Sequence, residues 1–461
     1  MLSYLHSSCV LTKPLLREED MMERKSKTII RVCAFILPTV IALIGIGACL
    51  PPCPPHTPMT LPGFMLGESQ GGTSEVPLVA ELLGPGRWMR GQVTWKQVEP
   101  EIPLGEQRLT VAEVDANPGM IHDYILNHNW SASDGFLAAM KANELQPIMV
   151  VGLGNTNALP NFNGGPALPD RLGKENYLGH IYLYARATIE RYNGDGVDDA
   201  PGGLVVKYWQ LENELNQAFL EALWGWRSPS FQEALGSAWQ SWSFLTDLLH
   251  TLSRAVQIED PEALTTTNFH TDIPASIDQG LFLPSWQEAI RRWVSYVDFI
   301  TITALPNYYR AYPVKGETLE QKVAEASEMG CRKPVVVIEA CYSSGPAERG
   351  YSEAYQAEFI QEAYDASVRA GAQGFFFFGI RTAEHHTVEI TQKDLDNLAY
   401  IGALFDEGNF LGLVWFALRN MEYIQDHFVY VLWSVEPYWG LIRTDGSHKP
   451  GWDVLYDIAH P

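Results

Sequence analysis

Cysteine is scarce in this chain: six residues in 461, with no CxxC pair. Cys9 and Cys33 fall in or before an apolar N-terminal run, Cys49 ends it, and Cys53, Cys331 and Cys341 remain. Cys331 and Cys341 bracket one expected strand, and ten residues at ~3.3 Å each hold them roughly 33 Å apart, far beyond the ~7 Å limit for a bridge. The spacing offers neither a disulfide framework nor a metal site, so the fold is expected to rest on its core. Positive charge is also short. The chain carries 32 basic against 55 acidic side chains, a formal charge of −23. No basic block follows residue 31, which argues against a nucleic acid partner. Extended disorder does not fit either, because aromatic residues make up 11% of the chain and supply far more burial than a solvated coil contains.

The uncharged run Val32 to Ala48 is preceded by Arg24, Lys25, Lys27 and Arg31, and reads as an export signal. Met21 and Met22 offer a more natural start for such a signal than Met1. Ile46-Gly47-Ala48-Cys49 resembles the lipobox of bacterial lipoproteins, which implies lipidation of Cys49; a retained membrane anchor and plain secretion are the alternatives. Any of the three places the remainder outside the cytoplasm, and the first two tether it to a membrane. Residues 49–61 form a proline-rich linker that favours extended polyproline II. Residues 62–461 are expected to form one folded domain.

Within that domain short apolar runs recur, bounded by Gly, Pro, Asn or Asp: Gly63 to Gly67, Arg87 to Val93, Pro147 to Leu153, Val206 to Glu214, Leu264 to His270, Val297 to Thr303, Pro334 to Ala340 and Gly374 to Ile380. Helix-length segments separate most of them, and Tyr177 to Tyr192 and Ser352 to Ala370 show apolar residues at helical spacing. Eight strands alternating with helices imply an α/β fold, a parallel (β/α)8 or TIM barrel with elaborated loops. A ninth apolar run, Phe410 to Leu418, leaves the closing strand open: either it or Gly374 to Ile380 is the eighth, and the other belongs to an insertion or C-terminal extension.

Working residues of such a barrel sit at the C-terminal ends of its strands. Two glutamates end apolar strands there, Glu214 on the fourth and Glu339 on the seventh. Apolar walls raise a carboxyl pKa and neighbouring cations or donors lower it, so two carboxyl groups in unlike surroundings can divide the roles of acid and nucleophile. Spacing alone also allows each merely to cap a strand or pair with a surface arginine.

Asn213-Glu214 after strand four and Glu339 after strand seven resemble the clan A glycoside hydrolases, the superfamily of cellulases, xylanases, mannanases, β-xylosidases and β-galactosidases. Trp95 to Pro100 after strand two, Glu190 to Gly196 before strand four and Lys333-Pro334 before strand seven extend the resemblance. Trp415 to Arg419 with Gly440-Leu441 and Asp445 to Pro450 look like the family's closing segment, so the likeness spans roughly residues 62–458 and favours the later run as the eighth strand. It implies a retaining glycosidase acting on carbohydrate, on β-linked O-glycosidic bonds in the first place. Glu339 would be the nucleophile and Glu214 the general acid/base, with carboxyl groups ~5 to 5.5 Å apart. Asn213 would bond the sugar 2-hydroxyl, and no metal or organic cofactor is required.

Supporting positions follow from the same layout. Arg90, ending strand two, is suited to keep the nucleophile ionised. His270 ends strand five, as a substrate contact or as a satisfied loop histidine. Tyr308 and Tyr309 follow strand six, although alignment through Asp298 and Pro306 puts Leu305 at the family's usual tyrosine site. Glu212 shares the neighbourhood of Glu214 and ranks behind it. Trp95, Trp224 and Trp226 offer flat faces for pyranose rings, with buried packing as the competing reading. Asn193 to Asp199 faintly resembles a calcium loop but lacks the glutamate at loop position twelve, and reads as a turn. A glycan-capturing lipoprotein that does not cleave, and a transglycosylase working through the same glutamates, remain the competing functions.

Overall fold

The computed structural model describes residues 53, 59–69, 71–99, 108–152, 168–218, 237–272, 285–308, 310–407 and 409–461. The apolar run Val32 to Ala48, Cys49, Trp224, Trp226 and Tyr309 lie outside them.

The strands are β1 (Met65–Glu68), β2 (Trp88–Thr94), β3 (Gln146–Gly152), β4 (Tyr208–Leu211), β5 in two pieces (Leu264–Thr266 and Asn268–His270), β6 (Ile300–Ala304), β7 (Val335–Ala340) and β8 (Gly374–Phe377). Every pairing is parallel. The ladder runs from β1 through β2, β3 and β4 to the first piece of β5, and from β1 through β8, β7 and β6 to its second piece. Thr267 alone separates the two pieces, so the sheet closes on itself as an eight-stranded barrel. All eight early runs are strands. The closing one is Gly374–Phe377, whereas the later run is a helix, Phe410–Arg419. The resemblance of Trp415 to Arg419 to a closing segment is thereby corrected.

Alternation along the strands sorts the apolar residues into two layers. Val336 and Ile338 of β7 and Phe376 of β8 join Met65, Trp88, Ile148 and Phe299 in a cluster that fills the barrel floor. Leu61, just ahead of β1, belongs to the same cluster. Val335, Val337, Phe375 and Phe377 belong instead to the larger layer under the helices. Edge-on rings consolidate the floor, with Trp88 and Tyr208 centroids 4.8 Å apart.

The surrounding helices start where the sequence supplies caps. Lys174–Tyr192 and Glu353–Arg369 confirm the two helical readings, and the Ser352 hydroxyl accepts from the Tyr355 N–H at the start of the second. The Asn193 to Asp199 stretch is a turn, with Asp195 and Asp199 carboxylates accepting from the amides of Val197 and Gly196.

Two features were not anticipated. Cys53 of the proline-rich segment is bridged to Cys331, with Cα atoms 5.6 Å apart and 278 residues between them. The expectation of a fold without disulfides is therefore wrong: the spacing argument excludes only Cys331 with Cys341, and the bridge is long-range. The bridge ties that segment to the loop between helix Thr318–Met329 and β7. Beyond β8, an insertion of helices carries its own core: Leu398, Phe416, Phe428 and Val431 pack with Ala311 from the loop after β6. Arg349, fully buried, fastens it to the barrel. Its guanidinium donates to the carbonyls of Asn307 (2.6 Å) and Arg310 (2.6 Å) on one side and to Val431 (3.0 Å) and Leu432 (3.2 Å) on the other.

Candidate active site

One step above the apolar floor the inward residues become polar and buried: Arg90, Gln210, Thr266, Asn268, Thr301 and Thr303. A buried polar group is tolerated only when bonded, and these bond one another. Arg90 Nε donates to Gln210 Oε1 (2.8 Å), Gln210 Nε2 to Asn268 Oδ1 (2.7 Å), and Asn268 Nδ2 to Thr303 Oγ1 (3.0 Å). The result is a rigid polar shelf across β2, β4, β5 and β6.

Glu339 rests on that shelf. Strict alternation from Val337 would aim it outward at the helices. Register shifts in both ladders of β7, between Ile302 and Thr303 on one side and between Val337 and Ala340 on the other, reset the phase. Ile338 belongs to the interior cluster and Ala340 to the outer one, which turns Glu339 inward. Bulges beside reacting centres commonly re-aim a side chain in this way. Glu339 Oε1 accepts from Arg90 Nη1 at 2.5 Å, and both side chains are almost wholly buried. Burial pushes the Glu339 carboxyl up, and the guanidinium of Arg90 opposes that. Arg90 thus stands as the ion-pair partner of this glutamate.

The same arginine reaches the other glutamate's neighbour. Arg90 Nη2 donates to Asn213 Oδ1 (2.7 Å), which also accepts from Asn268 Nδ2 (3.0 Å). With a third hydrogen bond from Gln210 Nε2 (3.3 Å), the bonds to its oxygen fix which way the Asn213 amide faces. Glu214 follows in a left-handed conformation, φ 47° and ψ 45°, and opens a short helical turn over Leu215–Gln217. Its backbone N–H donates to Asn268 Oδ1 (2.9 Å), and its carboxylate accepts from Gln217 Nε2. Glu212 is likewise left-handed, φ 59°. Positive φ at two non-glycine residues in three costs roughly 1–3 kcal/mol each and persists where the surroundings over-determine it. Gly152 makes the turn possible: a Cβ there would lie 2.0 Å from Glu212 Oε2.

Other expected residues take different places. Trp95 is fully buried in the core, stacked on Tyr184 at 6.1 Å with Nε1 bonded to Glu99 at 2.8 Å, so it is not a sugar platform. The Thr94–Gln97 capping box starts a helix directly after β2 and turns the indole under it. His270 is buried and neutral. Burial lowers its pKa to about 4, its Nδ1 accepts from the Asp272 N–H (3.2 Å), and its backbone exchanges bonds with the Asn216 amide. Its backbone helps to hold the loop after Glu214. Tyr308 donates to Glu436 Oε1 (2.7 Å) instead of to Glu339, in keeping with Leu305 occupying the usual tyrosine position. Asn268 and Glu436 were missed. Asn268 lies two residues before His270 on the same strand, which was the available signal; Glu436 follows the insertion and had none.

No protein-family model matches the chain, and no curated protein matches it. Solved structures do. A family 39 glycoside hydrolase from Bacteroides cellulosilyticus WH2 aligns over 86% of this chain at 18% identity with a TM-score of 0.45. The alignment spans 63% of that protein's length. The exo-β-1,4-mannosidase of Opitutaceae bacterium strain TAV5 aligns over 86% of this chain and 57% of its own, at 15% identity and a TM-score of 0.48. A β-glycosidase from Pyrococcus horikoshii aligns over 84% and 83%, at 12% identity and 0.46.

Proposed function

We propose that this protein is a retaining glycoside hydrolase of the clan A type, cleaving β-linked O-glycosidic bonds of oligo- or polysaccharides. The observation that carries the reading is the buried bond system in which Arg90, which lies within β2 and not at its end as expected, joins Glu339 to Asn213, next to Glu214, at the C-terminal ends of β7 and β4. Ionised Glu339 attacks the anomeric carbon while Glu214 gives its proton to the leaving oxygen, forming a glycosyl ester and releasing the aglycone. Glu214, now a base, takes a proton from water as that water attacks the same carbon, and Glu339 leaves as carboxylate. Arg90 supplies the counter-charge for the ionised nucleophile. Asn213, its oxygen held by Arg90 and Asn268, presents its amide nitrogen to a sugar hydroxyl.

We further propose that the chain is exported and tethered through a lipidated Cys49. The basic flank, the apolar run and the Cys53–Cys331 bridge support this, since disulfides persist mainly in oxidising compartments. Membrane partition that Cys49→Ser abolishes is the check.

The test of activity is reducing-sugar release by the protein across β-glucans, xylans, mannans, galactans and aryl β-glycosides, beside Glu214→Gln and Glu339→Gln. Release that both variants lose by 10³-fold or more, on the order expected for loss of a nucleophile or acid, supports the reading. Full activity in Glu339→Gln sinks it.

A further inference from the structure

Among the described residues, four glutamates gather at the C-terminal ends of the barrel strands. Glu68 ends β1, Glu212 and Glu214 follow β4, and Glu339 stands near the end of β7. All four are buried or nearly so. Arg90 is engaged by Glu339, and Lys322 by Asp272.

A fifth carboxylate reaches this mouth from the end of the helical insertion. Glu436 accepts the Tyr308 hydroxyl at 2.7 Å. Tyr308 is within electrostatic reach of Glu214 as well, and Cys341, two residues beyond Glu339, is within reach of both Glu339 and Glu436. The position of Glu436 is enforced. Ser343 Oγ donates to the Val435 carbonyl (2.9 Å) and Ser344 Oγ to that of Tyr438 (2.9 Å), pinning the segment to the loop after β7. Arg349 clamps the preceding helix, Val429–Trp433, to the loop carrying Tyr308.

We infer that the sugar held against the catalytic pair is neutral and hydroxyl-rich, and that Glu436, steadied by Tyr308, reads its hydroxyl groups and rejects carboxylated or sulfated sugars. This deepens the glycosidase reading and rests on it. A carboxylate accepts from two neighbouring hydroxyls at once. The same charge, in a partly desolvated site already holding several acids, repels an anionic sugar with little screening. An acidic mouth also favours the positive charge that develops on the ring in the transition state.

The experiment compares kcat/KM of the parent for matched neutral and anionic substrates: aryl β-glucosides and β-galactosides against the corresponding uronides, and neutral against uronate or sulfated polymers. The neutral member is expected to win by about 100-fold or more, and Glu436→Gln to narrow that ratio by about tenfold. Tyr308→Phe, which leaves the carboxylate but frees it to move, is expected to weaken KM for neutral substrates more than kcat. A parent that prefers the uronide, or a ratio that Glu436→Gln shifts less than twofold while the variant stays folded, overturns the inference and leaves the glycosidase reading standing. Silence of the parent on every substrate removes both.

Discussion

Replacing Arg90 by methionine tests the centre of the site without touching either proposed catalytic glutamate. The Arg90 and Glu339 side chains are 9% and 6% exposed. Removing one partner of such a pair costs about 3–5 kcal/mol because the other charge stays buried alone. Gln210 Oε1 and Asn213 Oδ1 each lose a donor as well, bringing the expected loss to about 4–6 kcal/mol, a large part of a typical total of about 5–15 kcal/mol. The loss must depend on pH in one direction. Burial raises the Glu339 carboxyl above its ordinary 4.5, and without Arg90 nothing opposes that rise. A raised carboxyl holds its proton more tightly folded than unfolded. Its contribution is therefore fully present below about pH 4.5 and is lost as pH climbs through the folded value. Arg90→Met should thus be nearly normal in urea denaturation at acid pH and severely weakened at pH 8, relative to the parent at each pH. Adding Glu339→Gln removes the stranded charge and should restore about 2 kcal/mol or more at pH 8. A deficit equal at both pH values, or a double variant no more stable than the single, would refute the pairing as the source of stability.

Gly152→Ala places a methyl group 2.0 Å from Glu212 Oε2 and 3.1 Å from its Cα. It should cost about 1–3 kcal/mol and shift the turn that carries Glu214, so a kcat within twofold of the parent would show that the turn is not so constrained. Cys53→Ser opens the bridge to Cys331 and should lower stability by about 2–5 kcal/mol. Unfolding of the parent should show the same loss on adding a reductant, and indifference to reductant would contradict the bridge.

Much of the barrel was legible because parallel strands buried on both faces leave an unmistakable trace, short β-branched runs such as Val335-Val336-Val337-Ile338 between turn residues. The two glutamates were legible for the same reason, as acids closing such runs. What the sequence hid is of three kinds. The inward aim of Glu339 depends on register shifts that appear only when β7 pairs with β6 and β8. The run Phe410 to Leu418 has no polar face to declare a period, so a strand and a helix read alike. It is helical because the Asn409 side chain caps it, accepting from the Gly412 N–H at 2.9 Å, and because Phe416 and Leu413 pack against the insertion's own core. Trp95 was indistinguishable from a surface aromatic until the capping box turned it beneath Tyr184.

The least legible residue, Asn268, explains how the site tolerates its own strain. The ladder between β4 and the first piece of β5 ends at Gln210 and Thr266, and Thr267 breaks the strand. Past that point Glu212 and Glu214 adopt left-handed backbone that no β partner could accept. Asn268 takes over from the ladder with its side chain: Oδ1 accepts the Glu214 N–H as a strand carbonyl would, while Nδ2 grips Asn213 and Thr303. One amide thus ties the backbone of the proposed acid/base to the shelf that carries Arg90 and Glu339. The carboxylate of Glu214 is held separately, accepting from Gln217 Nε2 on the turn that the same backbone bond anchors.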